Sequence, residues 1–509
     1  MAGTDPSTML TGRRRLLAAI ALASANLMVM FDMTIANVSV PHIAGSLGIS
    51  PSQGIWVITS YAVAEAICVP LTGWLAGRFG AVRCFVLGTL GFGLFSILCG
   101  MSLTLGMLVA CRIGQGLCGG PIMPLTQTLM MRLFPPEKRP QAMGIWAITT
   151  IIGPVLGPII GGTISDHISW HWIFFINVPI VLFCAITAHG MLRPIETPTM
   201  KRPIDRVGLA LLITWISALQ IMLDIGREHD WFADPTVLAL GLTAVIVFAI
   251  FVIWELTEEH PIVDLRIFRH RSFSVGVVTL AIGFGCYFSG TVIIPQWMQL
   301  SMGYTATQAG IATAAAGMAA LFVARLPPLL MKRVDPRIML SGALIWVGSA
   351  TLLRVTWTSG ADFTTLIMPQ LIMGLGMPFF FITATSVSLG SVPPDEMASA
   401  AGLQNFMRTI ALAASTSIVM TYWGDQTRVA NSELAGKLNG DTTTSTLIAS
   451  GLSPEQARAM IAQLVDREAV MLATDKVFLI AGLAMIAVAA WVWVSPRPKT
   501  LLQPGAGGH

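Results

Sequence analysis

A stretch of about 20 apolar residues recurs fourteen times along this chain, and this recurrence constrains the fold more than any other feature. Each stretch has the length that a helix needs to cross the hydrocarbon core of a bilayer. Only 11% of the residues are charged, against about 25% in a typical soluble domain. We therefore predict an all-α membrane protein with fourteen transmembrane helices. The predicted spans are 16–37, 54–75, 84–101, 105–127, 141–162, 171–190, 207–225, 236–256, 273–294, 308–331, 338–356, 364–388, 402–423 and 475–495.

The distribution of basic residues predicts the orientation of these spans. An even number of spans places both termini on one side of the membrane. The two tails and the loops on that side hold 20 of the 30 Lys and Arg residues, whereas the short loops of the opposite side hold only Arg227. Because cytoplasmic loops carry an excess of Lys and Arg, both termini are predicted to be cytoplasmic. The long polar loop 424–474 then lies outside.

A faint internal repeat predicts the domain organisation. PPEKRPQAMG (135–144) matches PPDEMASAAG (393–402) at an offset of 258 residues, and GISPSQG (48–54) matches GYTATQAG (303–310) at an offset of 255. Each copy has the same position relative to its helices, which is typical of transporters built from parallel repeats. The offset leaves room for two extra helices at 207–256. We predict a six-helix bundle at 1–195, a two-helix insert at 196–260 and a second six-helix bundle at 261–509, including loop 424–474.

Three ionisable residues lie deep within the predicted spans. Asp32, Glu65 and Arg112 occupy the outer half to the middle of the first, second and fourth spans. Charged groups are costly in lipid and usually face a cavity or each other. An acid and an arginine at similar depth can neutralise each other and can exchange partners when a proton arrives. These residues are therefore candidates for proton coupling, and the alternative is a structural pair that only ties helices together.

The fifth span has an unusual pattern, IIGPVLGPIIGG at 151–162. Glycines four residues apart form a flat stripe that lets another helix approach closely. Prolines bend a helix and free backbone carbonyls, which is tolerated where protein or a cavity faces them. The alternative is ordinary packing of small residues. The residues of this pattern are Gly153, Pro154, Gly157, Pro158, Gly161 and Gly162.

The sequence lacks the motifs of several functional classes. The seven cysteines form no CxxC pair and the eight histidines show no metal-ligand spacing within the spans, so no metal site is expected. The P-loop pattern GxxxxGK[ST] of nucleotide-driven pumps is missing. No histidine cluster, paired-aspartate motif or serine–lysine site indicates an intramembrane enzyme. We therefore expect a transporter with no cofactor and no nucleic-acid partner that is not driven by nucleotide hydrolysis.

Four motifs carry a family resemblance. FDMTIANVSVP (31–41), GWLAGRFGAVR (73–83), RIGQGLCGGP (112–121) and GPVLGPIIGG (153–162) resemble motifs of the fourteen-helix drug:proton antiporters of the major facilitator superfamily. WIFFINVPI (172–180), PIVDLRIF (261–268) and NFMRT (405–409) also fit, so the resemblance covers about residues 15–495. Among these antiporters the chain resembles the EmrB type of inner-membrane multidrug efflux pump, which shares the long loop before the last helix.

The resemblance implies roles for further residues. Arg112 matches the arginine that this family implicates in proton transfer, and the glycine stripe is expected to contact the opposite bundle. The cytoplasmic gate loop of the family usually has an aspartate where this chain has Gly77. The matched gate-loop residues are Gly73, Arg78, Gly80 and Arg83. The candidates for the substrate cavity are Asn37, Gln115, Asn405 and Arg408.

The resemblance also implies a function and partners. It implies a major facilitator fold in the inner membrane of a bacterium, exporting apolar or amphipathic toxic compounds in exchange for protons. It implies a periplasmic membrane-fusion adaptor and an outer-membrane channel as partners. Loop 424–474 is then either a docking surface for the adaptor or a solvated cap over the second half. The alternative function is export of a dedicated metabolite, such as a siderophore or a fatty acid, by the same fold.

Overall fold

The computed structural model is helical, and its described part contains no strand. It describes residues 10, 12–49, 51–135, 138–199, 203–226, 231–331, 333–393, 396–437, 440–450 and 452–496. The helices are α1 (Gly12–Leu47), α2 (Pro51–Cys68), α3 (Thr72–Phe79), α4 (Ala81–Gly100), α5 (Leu105–Gly119), α6 (Ile122–Leu133), α7 (Arg139–His167), α8 (Trp172–Phe175), α9 (Asn177–Met191), α10 (Arg206–Ile225), α11 (Pro235–Thr257), α12 (Arg271–Leu300), α13 (Ala306–Val323), α14 (Leu326–Leu330), α15 (Pro336–Leu352), α16 (Phe363–Leu389), α17 (Met397–Lys437), α18 (Gly440–Ala449) and α19 (Pro454–Trp491).

Most of the predicted spans meet the requirements for crossing a membrane. Within the described residues, 11 helical segments are long and apolar enough, and α2 with α3 brings the number to 12 if this bent pair is one span. The spans predicted at 141–162 and 402–423 lie in α7 and α17, which are 29 and 41 residues long. The total of fourteen and the side on which the termini lie stay predictions.

The bend in the second span has a local cause. The axes of α2 and α3 meet at 57°, and the break contains Pro70. Proline has no backbone N–H and its ring clashes with the preceding turn, so an α-helix tends to kink or stop there. The break sets α3 apart as a short helix, and α3 carries most of the gate-loop motif.

The helices pack in two sets with a pair beside them. In the first set α1 contacts α7, α9 and α6, while α5 contacts α2 and α4. In the second set α12 contacts α16, α17 and α19, while α13 contacts α16. Helices α10 and α11 pack on each other, and α10 also touches α2 and α17. The domain boundaries at 195 and 260 stay a prediction.

The segment predicted as a loop at 424–474 is largely helical. Helix α17 continues to Lys437 and α19 begins at Pro454, so both helices extend well beyond the predicted spans. Ser453 and Gln456 form a capping box that fixes the start of α19. The helix expected near 453–470 is thus the first part of a single helix of 38 residues.

The glycines of α7 face α1, which belongs to the same half of the chain. A Cβ atom at Gly157 would overlap the Thr34 hydroxyl, and a Cβ at Gly161 would lie 2.6 Å from Cγ1 of Ile35. A Cβ at Gly153 would overlap Met30 in the same way. The side chains at positions 154 and 158 lie outside the described part. Only glycine therefore allows these two backbones to approach so closely.

The expectation that this stripe contacts the opposite half is wrong. α7 reaches the second half with a different face, on which Ile159 meets Gly310 of α13. A Cβ atom at Gly310 would lie 3.3 Å from Cγ1 of Ile159. The sequence shows that a glycine stripe seeks a close neighbour, but the stripe itself contains nothing that identifies the neighbour.

Substitution of Gly157 by alanine should separate α1 from α7. We expect Gly157→Ala to lower the free energy of unfolding by about 1–3 kcal/mol, because the added methyl overpacks the interface. Thermal unfolding of the detergent-purified protein measures this change. Gly190→Ala in α9 is the matched control, because no atom lies within 4 Å of its added Cβ. Equal unfolding temperatures for the two variants would contradict the proposed packing.

Candidate functional site

Asp32 and Arg112 form a buried ion pair in the first half of the chain. Nη1 of Arg112 on α5 donates a hydrogen bond of 2.6 Å to Oδ2 of Asp32 on α1. Arg112 is 1% exposed and Asp32 is 0% exposed. The structure thus brings together the two charges that the sequence placed at similar depth.

Two amide side chains hold the other oxygen of the Asp32 carboxylate. Oδ1 accepts a hydrogen bond of 2.8 Å from Nδ2 of Asn177 and one of 3.0 Å from Nε2 of Gln115. The Ser96 hydroxyl also accepts from both amides and donates to the Phe174 carbonyl at 3.0 Å. The carboxylate is therefore solvated by fixed protein dipoles in place of water.

Arg112 has further partners that fix its orientation. Its Nε donates to the Val57 carbonyl of α2 at 2.9 Å, and Nη1 also donates to Oε1 of Gln115 at 2.8 Å. The guanidinium carbon lies 4.2 Å from the centre of the Tyr61 ring, a distance at which a cation is attracted to the ring face. Arg112 thus ties α5 to both α1 and α2.

The energetics of such a pair make stability a weak reason for its presence. Removing two charges from water costs about as much as their attraction returns, so apolar residues often replace a buried pair without loss of stability. Removing one partner, by contrast, leaves an uncompensated buried charge. The pair therefore responds strongly to any event that neutralises Asp32, and protonation is the simplest such event.

Glu65 lies near this cluster but outside its network of hydrogen bonds. It is 2% exposed, and its Oε2 has no hydrogen-bond partner among the described residues. A Cβ atom at Gly116 of α5 would lie 3.1 Å from the backbone nitrogen of Glu65. At this position α2 therefore packs closely against the helix that carries Arg112.

The four residues predicted for the substrate cavity do not all lie at one site. Asn405 donates to Oε1 of Gln127 at 3.1 Å, and Nη2 of Arg408 contacts the sulfur of Met123, so both join α17 to α6. Gln115 lies in the Asp32 cluster, and the side chain of Asn37 lies outside the described part. A narrow cavity between the halves is lined by Trp146, Thr150, Leu280, Phe381, Thr385, Gln404, Asn405 and Arg408.

The gate-loop region contains a carboxylate that the sequence did not indicate. Glu196 accepts hydrogen bonds from the backbone N–H groups of Val82 and Arg83 at 2.8 and 3.1 Å. It therefore caps the N-terminus of α4, where a negative charge is favoured. A Cβ atom at Gly80, which has φ 94°, would lie 2.7 Å from the carboxylate. Glu196 thus supplies an acid in this region, where Gly77 replaces the usual aspartate.

The other gate-loop residues lie around this cap. Gly73 on α3 lies against Ser399 of α17, with 2.8 Å between its hypothetical Cβ and the Ser399 hydroxyl oxygen. Arg78 is in the last turn of α3, and Arg83 is exposed at the start of α4. The contact between Gly73 and Ser399 joins the two halves at the side predicted to be cytoplasmic.

Comparison with known proteins identifies the family. The sequence profile described as Major Facilitator Superfamily matches residues 22–416. The chain is 38% identical to "Multidrug export protein EmrB" of Escherichia coli (strain K12) over 506 residues, which cover 98% of this chain and 99% of that protein. The chain belongs to the Major Facilitator Superfamily. Membership makes it a membrane transporter and not an enzyme.

Two further comparisons agree with this assignment. The chain is 36% identical to "Fatty acid resistance protein FarB" of Neisseria gonorrhoeae, over 96% of this chain and 97% of that protein. Its fold is similar to that of the human organic anion transporter MFSD10, with a TM-score of 0.57 over 94% of this chain and 100% of that one. Since that identity is 14%, this second likeness concerns the fold alone.

The sequence analysis did not predict two residues of the Asp32 cluster, Asn177 and Ser96. Asn177 lies within WIFFINVPI, a motif that supported the family resemblance but from which no residue was assigned a role. Asn177 could have been found, because it is a polar side chain in an otherwise apolar run. Ser96 gave no signal, because a serine inside a spanning helix usually bonds to its own backbone.

Asn177 should be coupled energetically to Asp32. We expect Asn177→Leu to destabilise the protein by about 1.5–3 kcal/mol, because a hydrogen bond to a charged group is lost. In the Asp32→Asn background the same substitution should cost less, since the carboxylate is gone. A double-mutant cycle by thermal unfolding measures the difference. Additive effects would show that Asn177 does not hold the Asp32 carboxylate.

Proposed function

We propose that this chain is a proton-coupled exporter of apolar or amphipathic toxic compounds, moving them out of the cytoplasm or inner membrane in exchange for protons. The names of its relatives support export of multiple drugs. The buried pair of Asp32 and Arg112 supports the coupling to protons, and this pair is the observation that carries the proposal.

The proposed coupling step begins when a proton reaches Asp32. The neutral acid no longer attracts Arg112, which keeps its hydrogen bonds to Gln115 and to the Val57 carbonyl. The restraint between α1 and α5 then weakens. Because the glycines of α7 hold α1 closely, a shift of α1 is passed to α7, and α7 contacts α13 of the second half through Ile159. Protonation is thereby converted into a change at the contact between the halves.

The proposal includes the finer topology. The chain has fourteen spans, arranged as six, two and six, and both termini are cytoplasmic. The bundles 1–195 and 261–509 lie on either side of a central cavity. Arg408 and Asn405 face the cargo there. The Gly73–Ser399 contact closes the cytoplasmic end, and Glu65 adjusts the charge between the halves. The membrane is the inner membrane of a bacterium.

The proposal also assigns a docking role to the helical extension formed by α17, α18 and α19. Several of its apolar side chains are exposed, including Val429, Met460 and Leu464. Such residues are costly to leave in water and are typical of surfaces that bind a partner. A periplasmic membrane-fusion adaptor, leading to an outer-membrane channel, is the partner that the EmrB-type relatives favour by analogy.

A second candidate is the export of a dedicated metabolite. The 36% identity to a protein named for fatty acid resistance favours a fatty acid over other metabolites. Efflux assays with ethidium, a cationic dye, and with decanoate separate the two functions. A multidrug exporter moves several unrelated compounds, whereas a dedicated exporter moves only the fatty acid.

Reconstitution in proteoliposomes with an imposed pH gradient tests the proton coupling. We expect Asp32→Asn and Arg112→Ala to reduce gradient-driven ethidium transport by about tenfold or more, because a proton-responsive buried pair is lost. Asp32→Asn should still exchange labelled for unlabelled ethidium without a gradient, since that exchange needs no proton transfer.

Two matched variants control for general loss of charge. Asp166→Asn and Arg325→Ala remove charges from exposed positions and should transport at the wild-type rate. Elution in size-exclusion chromatography establishes that each variant is folded. Wild-type rates in both Asp32→Asn and Arg112→Ala would overturn the coupling assignment.

A further inference from the structure

A buried carboxyl group of the pair α10 and α11 has no ion-pair partner within the described residues. Glu255 lies in the last turn of α11 and is 0% exposed. Its Oε2 accepts a hydrogen bond of 3.0 Å from the backbone N–H of Val263, in the segment that leads to α12. Its Oε1 has no hydrogen-bond partner in the described part of the chain. One oxygen of a fully buried carboxyl group is thus left without compensation.

This oxygen lies close to a second carboxyl group, beside Gly208 of α10. A Cβ atom at Gly208 would overlap Oδ2 of Asp205 and would lie 2.6 Å from Oε1 of Glu255. The separation of the two oxygens therefore cannot exceed the sum of these two short distances. Since the two carboxyl groups occupy the space that a side chain at this position would need, only glycine fits here.

The hydrogen bonds of Asp205 indicate which of the two groups is ionised. Asp205 is the N-cap of α10, and its Oδ1 accepts a hydrogen bond of 2.8 Å from the backbone N–H of Gly208. Its Oδ2 accepts one of 2.9 Å from the indole N–H of Trp254. Two donors and the N-terminus of a helix favour a negative charge on Asp205. The unpartnered Oε1 of Glu255 is therefore the atom suited to carry a proton.

The neighbouring charged groups do not neutralise this pair. Helix α11 packs on α10 and on the turns at its two ends. Arg206 of α10 is exposed, and Arg266 donates to two backbone carbonyls at the end of α11. Further along, Arg269 and His270 bind Glu396. The remaining acidic groups of α10, of the end of α11 and of the following turn are Asp224, Glu258, Glu259 and Asp264.

A second ionised carboxylate is unfavourable in such a place. Burial removes the hydration of Glu255, and no donor replaces it at Oε1. Like charges repel at this separation, so two carboxyl groups that share a site usually hold one proton between them. A proton also needs no additional space, and the packing around Gly208 leaves none for a side chain.

We propose that Glu255 and Asp205 form a proton-binding site separate from Asp32, in which Glu255 carries a proton on Oε1 and donates it to Oδ2 of Asp205. This hydrogen bond fastens the end of α11 to the start of α10, at the side predicted to be cytoplasmic. Through the N–H of Val263, Glu255 also holds the segment that leads to α12. The inference does not depend on the proposed function.

The position of this site gives its proton a structural consequence. Loss of the proton to an alkaline cytoplasm places two negative charges together in a buried region and pushes the two helix ends apart. Helix α10 contacts α2 of the first half and α17 of the second. A change in the pair α10 and α11 therefore reaches both halves, and the site makes their packing responsive to cytoplasmic pH.

The pH dependence of thermal unfolding of the purified full-length protein tests the proposal. The folded protein holds a proton that an unfolded glutamate releases in mild acid, so the contribution of the site to stability falls as the pH rises. Glu255→Gln imitates the protonated acid, because its amide can donate to Asp205 at every pH. We expect this variant to unfold at about the wild-type temperature near pH 6 and roughly 2–4 °C above the wild type near pH 9.

Glu259→Gln is the matched control, since it makes the same chemical change at an exposed position four residues further on. Its difference from the wild type should not vary over this pH range. Infrared spectroscopy gives a second readout. At neutral pH the wild type and Glu259→Gln should share a protonated-carboxyl band that Glu255→Gln lacks. Asp205→Asn should also lose this band, because its amide can donate to an ionised Glu255, and this variant decides the question if Glu255→Gln does not fold.

Three results would overturn the proposal. The first is a difference between Glu255→Gln and the wild type that stays constant with pH. The second is a protonated-carboxyl band that is unchanged in Glu255→Gln and in Asp205→Asn. The third is a stabilisation of the wild type by sodium or calcium ions at high pH that Glu255→Gln abolishes, since the two carboxylates would then hold a metal ion in place of the proton.

Discussion

The buried attraction between Asp32 and Arg112 is the interaction on which the functional account depends. Both side chains are buried, so the two charges are compensated by each other, by Gln115, Asn177 and the Val57 carbonyl, and by the ring of Tyr61. Such a pair contributes little to stability, yet it changes abruptly when one charge is neutralised. The proposed proton coupling needs this combination, because a single proton must alter the balance between conformations that differ by only a few kcal/mol.

The glycine stripe of α7 gives this local change a mechanical consequence. It faces α1, the helix that carries Asp32, and α7 contacts α13 on another face. One helix therefore lies between the ion pair and the second half. The stripe does not make the expected contact with the opposite bundle. In the proposed mechanism a displacement of α1 instead reaches the second half through the tightly packed pair of α1 and α7, since close packing transmits displacement.

The sequence predicted the all-helical architecture of apolar spans because hydrophobic length is a local signal. The positions of Asp32 and Arg112 were also predictable, since ionisable groups are conspicuous in apolar spans. The partners of Asp32 were not predictable in this way, because Asn177 is 145 residues from it in the sequence and only the packing of helices brings Asn177 and Ser96 into the cluster. Glu196 likewise reaches the N-terminus of α4 only through packing, 114 residues from Val82 in the sequence. The capping of α4 by Glu196 shows this most plainly, because the departure at Gly77 indicated a missing acid without indicating its replacement.

Proton release on substrate binding tests the central claim most directly. If protonation of Asp32 and binding of cargo oppose each other, linkage requires that ethidium added to purified protein in weakly buffered detergent solution displace protons. The wild type should acidify the solution, and Asp32→Asn should bind ethidium without doing so. Equal acidification by both proteins would contradict the account, because the coupled proton would then belong to another group.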